Sequence, residues 1–262
     1  MPVQPEGTPC WADAIFPDLE AAKRFYGELL GWTFGDSAAD FGHYTQAYVD
    51  GKTVAGVLPR IPGMDGAAAW NLYFASPDAR VTAAKIVDNG GTLAMEPMDV
   101  ADVGTMVTAE DPGGVSFSVW QAGTHPGFEV TGEPGAYAWA DLCTREVAET
   151  DAFFPSVFPF KVQRIEAEGV DFHLWDVGGD PVIGRLRMTD EFPPGTPPFI
   201  NVHFTVADVD TAVATVERLG GESVYGPMDS PFGRFATVRD QQGAMFSVID
   251  LQTRVGEVPA FS

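Results

Sequence analysis

The triplet Trp-Ala-Asp occurs twice, at 11–13 and at 139–141, and each copy heads the same longer pattern. At this spacing of 128 residues Phe25 falls on Phe153 and Gly56 on Gly184. Gly90-Gly91 and Pro97-Met98-Asp99 match Gly220-Gly221 and Pro227-Met228-Asp229 at 130, and Thr108, Asp111, Gly114 and Phe117-Ser118-Val119 match Thr237, Asp240, Gly243 and Phe246-Ser247-Val248 at 129. A spacing that drifts by one or two residues over half a chain marks a duplication with small loop insertions, and such a repeat constrains the fold before local propensity does. The 262 residues then hold two domains, 1–125 and 137–262, with the Gly- and Pro-rich stretch 126–136 as linker.

Each half divides again. "CWADAIFPDLEAAKRFYGELLGW" predicts a strand over 11–16, Asp18 as a helix N-cap, and an apolar helical face of Leu19, Ala22, Phe25, Tyr26 and Leu29. "WNLYFASPDARVTAAKIVDNGG" predicts a strand over 70–75 and a helix over 78–88, closed by Gly90-Gly91. Stretches rich in strand formers follow each helix, and the second half repeats the plan from 137 and from 199. The expected fold is α+β, four strand–helix–three-strand (βαβββ) modules in two tandem domains, with each half large enough to fold by itself.

Composition excludes several classes of function. A net charge of −22 repels nucleic acid and anionic membrane surfaces and favours a cationic ligand, although a solvated acidic surface explains it as well. No run approaches the length of a membrane helix, and the N-terminus lacks a basic start followed by an apolar run. Cys10 and Cys143 are too few for a disulfide framework, so a cytoplasmic setting is expected.

The module order, "FYGELLGW", the "VDGKTVAGVL" hairpin, "DPGGVSFSVW" and "INVHFTVADVDTAVATVERLGG" resemble the vicinal oxygen chelate superfamily. That group includes glyoxalase I, fosfomycin and bleomycin resistance proteins and extradiol dioxygenases. The resemblance spans nearly the whole chain, and its tandem layout is similar to that of actinobacterial proteins described as hydroxylases or glyoxalases. It implies paired modules curled into open barrels, each with a divalent metal in its cup. Carried over to this sequence, the ligand positions are Trp11, Gly56, Asn71 and Ser118 in the first domain, and Trp139, Gly184, Asn201 and Ser247 in the second. Indole, glycine and serine make poor ligands for a divalent ion, so neither metal nor other cofactor is expected. The one dissenting arrangement is a two-His-one-carboxylate set of Asp141, His203 and His173; His125, in the linker, is expected to be solvated.

Strand alternation turns Trp11 and Asp13 into the first cup, with Asn71, Tyr73, Ser118 and Trp120. It turns Trp139, Asp141 and Cys143 into the second, with Asn201, His203 and Ser247. Aromatic walls with a few convergent polar groups suit a small-molecule pocket, and the same tryptophans could equally plug an emptied metal site. Asp13, Asp141 and His203 are the candidate acid–base groups; a carboxylate in a strand is otherwise a hydrogen-bonded seam residue. Two functions follow: metal-independent binding of a hydrophobic or aromatic molecule, for sequestration, resistance or an accessory step beside a partner enzyme of secondary metabolism, or a glyoxalase- or hydroxylase-like enzyme acting on a reactive aldehyde or polyketide-type substrate.

Overall fold

A computed structural model describes residues 4–60, 63, 66–165, 170–258 and 260. The first module comprises β1 (Pro9–Phe16), α1 (Leu19–Leu30), β2 (Thr33–Phe34), β3 (Thr45–Val49) and β4 (Lys52–Pro59). The second comprises β5 (Trp70–Ala75), α2 (Ala79–Asp88), β6 (Thr92–Val100), β7 (Gly104–Glu110) and β8 (Ser116–Ala122). The third holds β9 (Tyr137–Thr144), α3 (Val147–Val157), β10 (Lys161–Arg164), β11 (Phe172–Val177) and β12 (Asp180–Arg187). The fourth holds β13 (Phe199–Thr205), α4 (Val209–Arg218), β14 (Glu222–Met228), β15 (Arg234–Arg239) and β16 (Met245–Asp250). No helix among the described residues is long and apolar enough to cross a membrane.

Local chemistry sets the helix starts. The Asp18 carboxylate accepts from the Ala21 amide at 2.9 Å, Asp78 from the Arg80 and Val81 amides, and Asp208 from the Thr211 amide at 2.7 Å. Each satisfies backbone donors that the first turn leaves free. Gly31 ends α1 at a φ of 71°, in the left-handed region.

The strands form two eight-stranded sheets, ordered β2-β3-β4-β1-β5-β8-β7-β6 and β10-β11-β12-β9-β13-β16-β15-β14. Paired modules meet through their first strands: β1 runs antiparallel to β5, and β9 to β13. The register sets Asp13 across from Gly56 on one side and Asn71 on the other, and Asp141 likewise between Gly184 and Asn201. Each sheet thus carries one carboxylate at its centre, on the face opposite the helices.

The helix-bearing faces of the two sheets meet and share one core. Trp70 lies 5.0 Å from Phe204 between ring centroids, Tyr26 5.4 Å from Phe246, and Phe117 5.1 Å from Phe154. Two repeated aspartates reinforce the junction, Asp240 accepting from the Tyr26 hydroxyl at 3.0 Å and Asp111 from the Thr150 hydroxyl at 2.6 Å. The halves, expected to fold by themselves, thus share a core in the intact chain, where aromatic side chains of each pack against those of the other. The segment after β8 does not hang free either. Phe128 donates its amide to the Cys10 carbonyl at 2.7 Å, and the Gly135 amide reaches the Thr205 carbonyl at 2.8 Å.

Candidate functional site

Both cups are built on the same polar floor. In the first, Asn71 Nδ2 donates to Asp13 Oδ1 at 3.3 Å and to Ser118 Oγ at 3.0 Å, and Ser118 lies 3.0 Å from Thr108 Oγ1. In the second, Asn201 Nδ2 donates to Ser247 Oγ at 2.8 Å, and Ser247 lies 2.9 Å from Thr237 Oγ1. The quartets Asp13, Asn71, Ser118, Thr108 and Asp141, Asn201, Ser247, Thr237 are a duplicated arrangement on equivalent strands.

What stands on that floor differs. In the first cup Tyr73 Oη donates to Asp13 Oδ2 at 2.8 Å, Tyr44 Oη reaches the same oxygen at 3.3 Å, and Trp11 Nε1 donates to Tyr44 Oη at 2.7 Å. The Tyr44 ring lies over Gly56, in the space a side chain there would need. Burial raises the Asp13 carboxyl from its ordinary 3.8 to about 6, outweighing the donors Tyr73, Asn71 and Tyr44. The segment after β8 completes the closure. His125, expected to be solvated, is partly buried with its ring edge-on to Trp11 at 4.5 Å, and Phe128 lies 5.6 Å from the same indole. Trp120 Nε1 donates to the His125 carbonyl at 2.9 Å. Trp11 is left 3 % exposed. The first cup is packed shut.

In the second cup Phe172 takes the place of Tyr44 over Gly184, and His203 takes the place of Tyr73. His203 Nε2 lies 2.9 Å from Asp141 Oδ2, and Trp139 Nε1 donates to Asp141 Oδ1 at 3.0 Å. Asn201 Nδ2 is also 3.3 Å from His203 Nε2, but a ring nitrogen that donates to the carboxylate cannot accept from the amide, and the shorter contact to Asp141 assigns the proton to Nε2. That protonation leaves His203 Nδ1 a buried acceptor without a partner; Asn201 Oδ1 and Thr205 Oγ1 are likewise unpaired. Trp139 and Asp141 are only half-buried, the Asp141 side chain being 18 % exposed. Register places Phe235 and Ile249 on the same face as Thr237 and Ser247, and Tyr225, beside Thr237, is 54 % exposed. The second cup is open, with a carboxylate at its floor and an aromatic wall.

Strand alternation therefore located Asp13, Asn71, Tyr73 and Ser118 together, and Trp139, Asp141, Asn201, His203 and Ser247 together. Cys143 is buried, its thiol pushed well up by that burial and lying 3.7 Å from the Asp141 carbonyl oxygen. Tyr44, Phe172, Thr108, Thr237 and the wall residue Tyr225 were missed. The signal for the first two was a glycine in mid-strand, which marks close approach by another group.

The implied divalent metal does not fit the residues present. The Gly56 position is filled by Tyr44 and the Gly184 position by Phe172 and Asp141. His173 cannot join Asp141 and His203, because it lies on the other face of the sheet. There its Nδ1 meets Arg185 at 2.7 Å and Asp151 of α3 at 3.3 Å. Among the described residues no group of three or more His, Cys, Asp and Glu side chains is placed to hold a metal ion.

Paired modules with a polar cup define the class, and sequence comparison agrees. Residues 12–120 match the family described as a glyoxalase-like domain, and 136–248 match the glyoxalase/bleomycin resistance protein/dioxygenase superfamily. The chain belongs to this vicinal oxygen chelate superfamily. It is 36 % identical to anthracycline biosynthesis protein DnrV of Streptomyces peucetius over 94 % of both chains. Its fold is similar to that of a Mn(II)-bound glyoxalase from Novosphingobium aromaticivorans, at 17 % identity and a TM-score of 0.64, covering 97 % of this chain and 88 % of that one. The 2,3-dioxygenase LapB from Pseudomonas sp. KL28 compares at 15 % identity and 0.65, covering 98 % and 95 %.

Proposed function

We propose that the chain binds a hydrophobic or aromatic small molecule in the second cup without a metal, in a sequestration, resistance or accessory role of secondary metabolism. The observation that carries this reading is the contrast between the cups. Asp13 is sealed by two tyrosines, whereas Asp141, 18 % exposed, is flanked by Trp139, and Tyr225 and Phe235 lie on the same sheet face. An apolar wall with few oriented polar groups suits a small-molecule site. Kinship with an anthracycline biosynthesis protein supports the class of ligand.

The Asp141–His203 contact favours a second reading, in which the pair moves a proton on a bound aldehyde or polyketide-type substrate. The carboxylate reaches the cup, while His203 behind it fixes its orientation and can share the proton. Titration of the purified chain with polycyclic aromatics, followed by tryptophan emission and accompanied by elemental analysis, tests the first reading. Quenching without stoichiometric metal is expected. About one Zn, Ni, Fe or Mn per chain, lost on His203→Ala, would overturn it.

A further inference from the structure

Among the described residues no lysine or arginine pairs with Asp141, whose carboxylate is held by the His203 imidazole and the Trp139 indole. The neighbours of Asp141 across and along the sheet are Gly184, Asn201, Trp139 and Cys143, none of them cationic. The arginines nearby are engaged elsewhere. Arg239, on the cup face of β15, pairs with Glu222, Arg234 with Asp210 and Asp229, and Arg185 with Asp151 and Asp171 on the opposite face. Two indole and imidazole N–H groups hold the carboxylate but leave oxygen lone pairs toward the open cup.

Two further observations point to a ligand here. His203 and Asn201, both more than nine-tenths buried on the floor, keep Nδ1 and Oδ1 without partners, whereas Tyr73 and Asn71 in the first cup are fully engaged. Unpaired buried polar atoms in a native fold call for a functional explanation. The chain also carries −22 charges, a field that concentrates cations at an acidic cleft.

Resting on the reading that this cup binds a flat apolar molecule, we infer that the molecule it selects carries a protonated amine, with Asp141 as counter-ion. The ammonium sits on the carboxylate and the apolar frame lies along Tyr225 and Phe235. A carboxylate-bearing molecule of the same shape is repelled by Asp141 with no arginine to receive it.

The test uses one ring system with three charges: 9-(aminomethyl)anthracene, 9-anthracenemethanol and anthracene-9-carboxylate, titrated calorimetrically into the full chain. The amine is expected to bind about 10-fold tighter than the alcohol, the size of one charge-assisted hydrogen bond, and the carboxylate weakest. Asp141→Asn should remove the amine's advantage over the alcohol, bringing the two affinities within about 3-fold of each other. Should that variant fail to fold, added salt on the unaltered chain serves the same end, since it must weaken the amine selectively. Equal affinity of amine and alcohol, or an amine affinity indifferent to salt, overturns the charge preference and leaves aromatic binding standing. Failure of all three to bind overturns the aromatic-binding reading itself, and this inference with it.

Discussion

Tyr73 and His203 hold equivalent places in the two cups, and each sets one ring-borne polar atom on the carboxylate of its own cup. The distances are 2.8 Å from Tyr73 Oη to Asp13 Oδ2 and 2.9 Å from His203 Nε2 to Asp141 Oδ2. The duplication explains why the Trp-Ala-Asp triplet occurs twice. This one substitution, with Tyr44 against Phe172, explains why the two aspartates have different surroundings: one is sealed into a hydrogen-bonded seam and the other faces a cup.

Asp13 should make stability depend on pH in a defined direction. Folding raises its carboxyl from 3.8 to about 6, so the fold takes up a proton there. The stabilisation is fully present below 3.8 and is lost as pH rises through about 6. The change corresponds to ~3 kcal/mol at most. Denaturant titrations of the wild type and Asp13→Asn across this window should show the variant gaining relative stability as pH rises. Parallel profiles would mean that Asp13 does not carry the raised pKa.

Gly56→Ala tests how the first cup is closed. A methyl group there runs into the Tyr44 hydroxyl and ring, and overpacking of this kind costs about 1–3 kcal/mol. Melting temperature should fall, and Tyr44→Ala in the same chain should recover part of the loss, because the two positions compete for one space. Additive effects of the two changes would contradict the contact.

Residues 1–125 expressed alone should not reach a fixed native state. Phe74, Phe117, Tyr26 and Trp70 would lose Phe154, Phe158, Phe204 and Phe246 as partners. The expected fragment has strand and helix signals in the far ultraviolet, weak near-ultraviolet dichroism and strong dye binding. Mixing it with 126–262 should restore the near-ultraviolet signal. A dispersed, native-like NMR spectrum from the fragment alone would show that the shared core is dispensable.

Much of this was legible in the sequence because it rests on local chemistry. Asp18 caps its helix as its position before an apolar helical face predicts, and the strand over 70–75 has its expected bounds. Alternation turned Asp13 and Asp141 into cups because side chains on a strand repeat every two residues. Three things escaped for a common reason, that they depend on what meets across space. An apolar helical face such as Phe25 and Tyr26 does not say which sheet covers it, and Phe246 of the other half does so. A Gly- and Pro-rich segment gives no sign that His125 and Phe128 will turn back onto Trp11. Tyr44 and Phe172 differ in identity, so matching identical residues passed over the pair that decides which cup is open.

The claim that one cup alone is open is tested most directly by stoichiometry. Calorimetric titration of 9-anthracenemethanol into the full chain should give one molecule bound per chain. Trp139→Ala, a change at a half-buried side chain, should weaken it by about 10-fold or more, as loss of an aromatic stacking partner does. Two molecules per chain, or one whose affinity is unchanged in Trp139→Ala, would contradict the account.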